Sequence, residues 1–327
     1  MELAVYLPLL LPVCAAAGSQ TLAKRLPPRV ATWLLTGAAV VLAALSTAVL
    51  GFLALTAVLR IPLVASLGHL SAAVIRREDP ASLSAALVAA GLLAAVTLAA
   101  AHAGWRRTRA LIVAARQGRC LPGAGQVVVI PDGAADAYTV PGWPGRIVVT
   151  AGMLHALDPA ERQVLLAHER AHADNHHYLF TALSHLAAAA NPLLRPVAAA
   201  VSYTVERWAD EAAAGHCGDR RLAARAVGKA ALASSGGSSL PSRAPAAAAG
   251  ITGSALHPVR RPVGRGSPGA VPRRVAALLT PAPSVRPLLV AAATAVVLIS
   301  GVAALDAAYD LHALVELAQA RAFLTRS

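Results

Sequence analysis

His168-Glu169-Arg170-Ala171-His172 is the stretch on which the reading of this chain turns. Two imidazoles four residues apart on a helix share one face and can close on a single Zn2+, and the glutamate between them is placed to take a proton from a water activated at the metal. The approach to the stretch reads as a helix start. In Asp158-Pro159-Ala160-Glu161, Asp158 is the cap, Pro159 takes the first helical position where no N–H is required, and Glu161 closes a capping box. Neither Gly nor Pro occurs from Glu161 to His172. Leu157, Val164, Leu165, His168 and His172 fall on one broad stripe, so the two histidines are expected to point inward with the apolar residues.

The surrounding chain has the composition of a membrane protein. Of its 327 residues 57% are hydrophobic and 14% charged, and the mean hydropathy is +0.59, too apolar for an ordinary soluble domain. Four segments are long and apolar enough to cross a bilayer: residues 3–23, 30–59, 82–103 and 287–305. The first has a signal peptide as its competing reading. With Glu2 in place of a basic start, and Lys24 and Arg25 directly after it, we expect a retained span.

Basic residues set the expected orientation. Lys24, Arg25 and Arg29 lie between spans one and two, Arg106, Arg107 and Arg109 follow span three, and Arg273, Arg274 and Arg286 precede span four. With four spans all three clusters fall on the same side, which makes that side cytoplasmic. Arg60, Arg76 and Arg77 on the opposite side, beside Glu78 and Asp79, weaken the asymmetry. The expected organisation is three transmembrane helices in residues 1–104, a peptidase domain in 105–233, a basic linker and the end of that domain in 234–285, a fourth transmembrane helix in 286–306 and a tail in 307–327. The site would thus face the cytoplasm from a multi-pass protein of the cell membrane.

Within the domain, Gln126–Ile130 (QVVVI) and Arg146–Thr150 (RIVVT) are short β-branched runs separated by Pro- and Gly-rich sequence, and read as strands of a small sheet. After His172 an apolar stretch runs from Tyr178 to Ala190, breaks at Asn191-Pro192 and resumes from Leu193 to Gly215. Each arm is shorter than the roughly 20 residues a full span needs, so two helices packed in the domain and touching the bilayer are expected, with a transmembrane hairpin as the alternative. From Ser234 to Pro272 the chain is dominated by Ser, Gly, Pro, Ala and Arg, and no acidic residue occurs between Asp219 and Asp306. A flexible basic linker against an anionic leaflet accounts for much of the +13 net charge. Nucleic acid is not expected as a partner, because the basic residues are not interleaved with aromatics and no recognition module is present. Cys14, Cys120 and Cys217 form neither a disulfide framework nor a metal-binding spacing.

A catalytic zinc needs a third protein ligand besides His168 and His172. An arrangement with Gly at 175 and a further His at 178 is excluded by Asn175 and Tyr178. His176 and His177 are nearby but read more simply as polar residues at the helix end or on the cleft rim. A carboxylate from another helix fits better. In Val205-Glu206-Arg207-Trp208-Ala209-Asp210, Glu206 and Asp210 share a helical face. The first would reach the metal and the second would hold the free ring nitrogen of a ligand histidine.

The combination of R-I-V-V-T-A-G-M-L, the D-P-A-E helix start, L-L-A-H-E-R-A-H and the later E-R-W-A-D resembles membrane zinc metallopeptidases of the HtpX and prenyl-protease type. It is similar, more closely, to the BlaR/MecR-type antirepressor proteases, which place a cytoplasmic zinc domain between the third and fourth spans. The resemblance implies a mainly α, polytopic membrane protein with about four transmembrane helices and an inserted gluzincin-like α+β zinc metallopeptidase domain. It also implies Glu206 as third ligand and Asp210 as its companion. A His-Pro followed by an arginine, matched here by His257-Pro258 with Arg273 or Arg274, is implied to assist substrate or oxyanion. The antirepressor proteases carry a penicillin-binding sensor after the last span, and this chain is expected to lack it.

The expected reaction is peptide-bond hydrolysis, with Zn2+ on His168, His172 and Glu206 and with Glu169 taking the proton and passing it to the leaving amine. A substrate peptide would lie along a sheet edge formed by Ala134–Val140 or Arg146–Thr150. Tyr138 or Tyr203 would be the candidate oxyanion donor, though each reads first as a packing residue. The expected partners are a protein or peptide substrate, a transcriptional repressor in the regulatory version, and the lipid bilayer. A non-catalytic membrane signalling or scaffold protein that keeps the zinc-domain fold is the alternative from another class. A transporter is disfavoured because the four segments hold almost no ionisable groups.

Overall fold

The computed structural model describes residues 7–59, 83–121, 125–142, 145–236 and 269–324. Helices α1 (Leu7–Arg25) and α2 (Pro28–Leu59) form a tight hairpin at Leu26-Pro27, and α3 (Leu83–Cys120) follows. Helix α10 (Pro287–Leu324) ends the described chain. Among the described residues three helices are long and apolar enough to cross a membrane: Pro28–Leu55 within α2, Leu83–Cys120 and Pro287–Asp310 within α10. These correspond to the second, third and fourth expected spans. Helix α1 is not among them: its second half carries Ser19, Gln20, Lys24 and Arg25, and residues 3–6 of the expected first span lie outside the described residues. So do Arg60, Arg76 and Arg77.

Beyond α3 the chain builds a three-stranded sheet from β1 (Val127–Ile130), β2 (Ala137–Val140) and β3 (Arg146–Thr150), in the order β1-β3-β2. The β-branched run of β3 is buried on both faces, Ile147, Val148 and Val149 all at 0% exposure, and such side chains fill a pleated, buried surface, whereas Val129 of β1 is exposed. Strand β1 runs parallel to β3, with Val128 beside Val148, and β2 runs antiparallel to it, with Tyr138 opposite Val148. Arg146–Thr150 is thus the central strand, not an edge. The alternative sheet edge expected there is corrected, and β2 is the edge strand on the side of the site. Arg146 fixes the sheet to the end of α3 by donating to the carbonyls of Gly118, Leu121 and Gly125.

Helix α4 (Ala151–Ala156) starts straight from β3, with Thr150 as its cap. The main chain of Gly152 lies so close to Gly133 and Ala134 that any Cβ there would overlap the Gly133 carbonyl. Its N–H donates to the Asp132 carbonyl at 2.8 Å, so this glycine is required by contact. Helix α5 (Pro159–Asp174) begins with the expected cap: Asp158 accepts from the Glu161 N–H, and Glu161 accepts from the Asp158 N–H. Glu161 is also fully buried and paired with Arg225 and Lys229 of α8 (Arg220–Gly236). Burial works against its charge, yet bonds from Lys229, the Asp158 main chain and Arg225 hold its carboxyl at about 2.

Helix α6 (His177–Ala190), a short 3-10 turn at Pro192–Leu194 and α7 (Arg195–Cys217) form the expected helical pair. The pair packs along the spanning helix α2 itself, where Leu35 and Leu42 share a core with Phe180, Ala187, Val197 and Val201. The contact is fixed by polar links: Thr32 to Thr204 at 2.9 Å, and Asn191 at the tip to Ser46 at 3.0 Å, well inside the Pro28–Leu55 span. Helix α9 (Ala270–Leu278) folds back on this assembly. Leu278 is buried with Val164, Ala213 and Ala223, and Arg220 donates to the Leu278 carbonyl. Residues 237–268, most of the expected basic linker, lie outside the described residues.

Candidate metal centre

Helices α5 and α7 cross so that the apolar stripe of each carries its polar residues into one buried point. Along α5 the inward face holds Val164, Leu165, His168, Glu169 and His172, all buried, and along α7 Asp210 is 2% exposed. The Nε2 atoms of His168 and His172 are 3.1 Å apart. Glu206 faces both: its Oε2 lies 3.8 Å from His168 Nε2 and its Oε1 3.7 Å from His172 Nε2. One donor atom from each of the three lies within 4.8 Å of the others, so His168, His172 and Glu206 are positioned to bind a metal ion. Two imidazoles and a carboxylate form the donor set of a catalytic divalent site, which leaves a position for water or substrate.

The electrostatics of the cluster point the same way. Burial raises Glu206 above the ordinary carboxylate range despite the nearby Arg274 and His168. Burial likewise raises Glu169, against the pull of His168 and Thr139. For His168, burial opposes the charged form, but Asp210 outweighs it and the imidazole titrates above its usual value. His172 is held well below its usual value by burial and by His168, His177 and Arg274. The two Nε2 atoms face each other at 3.1 Å, as two donors turned to one cation do.

The surrounding residues take distinct parts. Asp210 Oδ1 approaches His168 Nδ1 to 3.1 Å, an ion-pair approach rather than a fully aligned hydrogen bond. Arg274 of α9 clasps both carboxylates of α7: its Nε and Nη2 lie 2.7 and 2.6 Å from Asp210, and its Nη1 2.8 Å from Glu206 Oε2. Burial acts against the charge on both, but this pairing holds Asp210 well down and Arg274 up. The guanidinium named from sequence as an oxyanion aid is thus engaged as a clamp on the carboxylates. Tyr138 packs with Ala114, Val140 and Val148 on the far face of the sheet, because side chains alternate along β2 and its neighbour Thr139 is the one that faces α5. Tyr203 lies under Arg273, at 5.1 Å from the guanidinium to the ring centre. His257 lies outside the described residues.

Two residues of the cluster escaped the sequence reading. The Thr139 hydroxyl stands 2.8 Å from Glu169 Oε2 and 2.9 Å from the Glu169 carbonyl. His177 is fully buried, with Nδ1 3.0 Å from His172 Nδ1, and does not lie on the cleft rim. The only sequence signal for it was the His176-His177 pair, and on a continued α5 helix His176 would stand beside His172 while His177 would be carried about 140° round the axis.

With this geometry in hand, comparison with known proteins gives one match: the family model for peptidase family M48 covers residues 100–286, more than half of the chain and all of the residues just described. No curated protein and no solved structure matches. The buried two-histidine, one-glutamate cluster is the kind of site such a peptidase needs, and the chain belongs to peptidase family M48, a family of metallopeptidases.

Proposed function

We propose that this protein is an integral-membrane, zinc-dependent endopeptidase that hydrolyses peptide bonds of a cytoplasmic or membrane-associated protein in regulatory proteolysis. The observation that carries the reading is the convergence of His168, His172 and Glu206 within 4.8 Å, with Glu169 buried beside them on the same helix. Zn2+ is the metal that two imidazoles and one carboxylate favour, and when bound it supplies a Lewis acid for water and for a scissile carbonyl.

The chain's own residues divide the remaining work. His168, His172 and Glu206 hold the metal. Glu169, which burial makes a stronger base than an exposed glutamate, takes the proton of the attacking water and delivers it to the leaving amine. Thr139 holds the Oε2 of that base in place. Asp210 and Arg274 hold His168 and Glu206 and keep the carboxylates from repelling each other.

The substrate reading follows from β2. Thr150 donates its N–H to the Asp136 carbonyl, and in an antiparallel ladder this register turns the main-chain groups of Ala137 and Thr139 to the open side. A peptide added there would gain main-chain hydrogen bonds largely indifferent to its sequence and would pass beside Glu169. Val140, Pro141, Gly142, Ala173, His176 and Tyr178 line a small hollow beside His172 at the end of this strand.

A regulatory role is supported by the contacts between membrane hairpin and site. Arg207, next to Glu206, donates to the Ala23 carbonyl at the end of α1, and Arg29 at the start of α2 lies over the Trp208 ring. Movement of the α1–α2 hairpin would be felt directly beside a metal ligand. With α1 counted as the first of four spans and the basic clusters inside, the site faces the cytoplasm, the arrangement of the antirepressor proteases that the sequence resembles.

The test is a digest by the full-length protein in detergent, with casein and a candidate repressor as substrates. Chelation should abolish cleavage and added Zn2+ should restore it. Cleavage unaffected by chelation would sink the metallopeptidase reading, and a zinc-loaded chain inert to every substrate would favour the scaffold.

A further inference from the structure

The two imidazoles of the centre are backed by different chemistry. His168 turns Nδ1 to a carboxylate, Asp210, at 3.1 Å. The Nδ1 of His172 meets Nδ1 of His177 at 3.0 Å instead. We propose that His177 is the positioning residue of His172, a buried neutral imidazole that accepts the His172 Nδ1–H and so keeps Nε2 of His172 a bare lone pair aimed at the metal. The inference rests on the reading of His168, His172 and Glu206 as a metal centre.

The proton placement follows from geometry. Between two ring nitrogens 3.0 Å apart, one carries the hydrogen and the other the lone pair. The opposite nitrogen of His172 lies toward His168 and Glu206, 3.1 Å from one and 3.7 Å from the other, and a nitrogen that binds a metal is unprotonated. The hydrogen of His172 therefore sits on Nδ1, pointing at His177. His177 must then offer Nδ1 as acceptor and carry its own hydrogen on Nε2. That Nε2 is buried and has no hydrogen-bond partner among the described residues. Buried donors left unmet are rare in folded proteins, which marks this ring as held for the bond at its other end.

The backbone is built to bring it there. On a continuous helix the fifth residue after His172 would lie about 140° round the axis, out of reach. Helix α5 stops at Asp174, and His176 adopts a left-handed conformation, φ 48°, uncommon for any residue but glycine. That turn starts α6 at His177 and directs its ring back under His172. The Trp208 ring, 4.6 Å away, closes the other side, itself edged by Phe180 at 5.9 Å. Trp208 and Glu206 both belong to α7, so the helix that supplies the third ligand also supplies the wall behind the orienting imidazole.

A pure packing role is the competing account, and two variants separate them. His177→Leu keeps the bulk and removes the acceptor, whereas His177→Asn places an amide oxygen near the position of Nδ1. Zn2+ affinity of the full-length protein in detergent, read by competition with a chromophoric chelator, should fall about 10–100-fold in His177→Leu. In His177→Asn it should stay close to the parent. With Co2+ in place of Zn2+, the visible absorption bands of His177→Leu should shift while those of His177→Asn overlay the parent. Equal losses in both variants, or parental affinity in His177→Leu, would overturn the role. Absence of Zn2+ binding by the parent itself would instead sink the metal centre on which the role depends.

Discussion

The hydroxyl of Thr139 stands 2.8 Å from Oε2 of Glu169, so the edge strand β2 and the proposed general base share a hydrogen bond. Substrate alignment and base alignment are thereby set by the same residue: its main chain faces the open edge and its side chain faces the helix. Thr139→Val preserves shape and burial and deletes the bond. A hydrogen bond to a charged group contributes roughly 1.5–3 kcal/mol, so kcat should fall about 10–100-fold. Metal content should not change, because Thr139 touches none of the three ligands. Steady-state kinetics with metal analysis on the same sample checks both halves.

Glu206→Ala removes the carboxylate that faces both imidazoles. Its zinc affinity should drop by more than the roughly 10–100-fold typical of an outer partner, measured by chelator competition. Unchanged affinity would contradict the assignment of Glu206 as third ligand.

Arg274 lies within ion-pair distance of both Asp210 and Glu206, and its side chain is 13% exposed. Arg274→Met would deprive both carboxylates of their guanidinium, and a buried pair that loses one partner is destabilised by about 3–5 kcal/mol. The loss should be largest without metal, because a bound cation neutralises part of the same charge. Thermal unfolding of the variant with and without Zn2+ should therefore show a larger deficit in the metal-free protein, and equal deficits would contradict this account of Arg274.

Binding of the metal should be opposed by acid at an unusually high pH. Asp210 raises the titration of His168 above its ordinary value, and a ligand imidazole must give up its proton before a cation binds. Below that titration point zinc affinity should decline about tenfold per pH unit for the one displaced proton. Asp210→Asn removes the raising influence, so the onset of the decline should move to lower pH. An onset that stays put or moves up in that variant, followed by isothermal titration across pH, would contradict the assignment.

Much of this was legible because it was local. Asp158, Pro159 and Glu161 announce the start of α5 by their own hydrogen-bonding chemistry, and the period of Val164, Leu165, His168 and His172 gives the inward face. Glu206 and Asp210 stood out as acids four residues apart in an apolar stretch. What stayed hidden depends on tertiary neighbours. Glu161 reads as a cap, but its pairs with Arg225 and Lys229 join residues 64 and 68 positions away. The strand at Arg146–Thr150 was visible, yet nothing in it shows that β1 would pair on its second side and make it central. In β2 alternation puts Tyr138 and Thr139 on opposite faces, but a four-residue strand does not say which face meets α5. His177 was lost because the left-handed turn falls on a histidine, where sequence offers no glycine to mark it.

The central claim, a metal on His168, His172 and Glu206 with Glu169 moving the proton, is tested most directly by Glu169→Gln. The zinc stoichiometry of the purified variant should match the parent while peptide cleavage falls by at least about 100-fold. Full cleavage by a zinc-loaded Glu169→Gln protein would contradict the account.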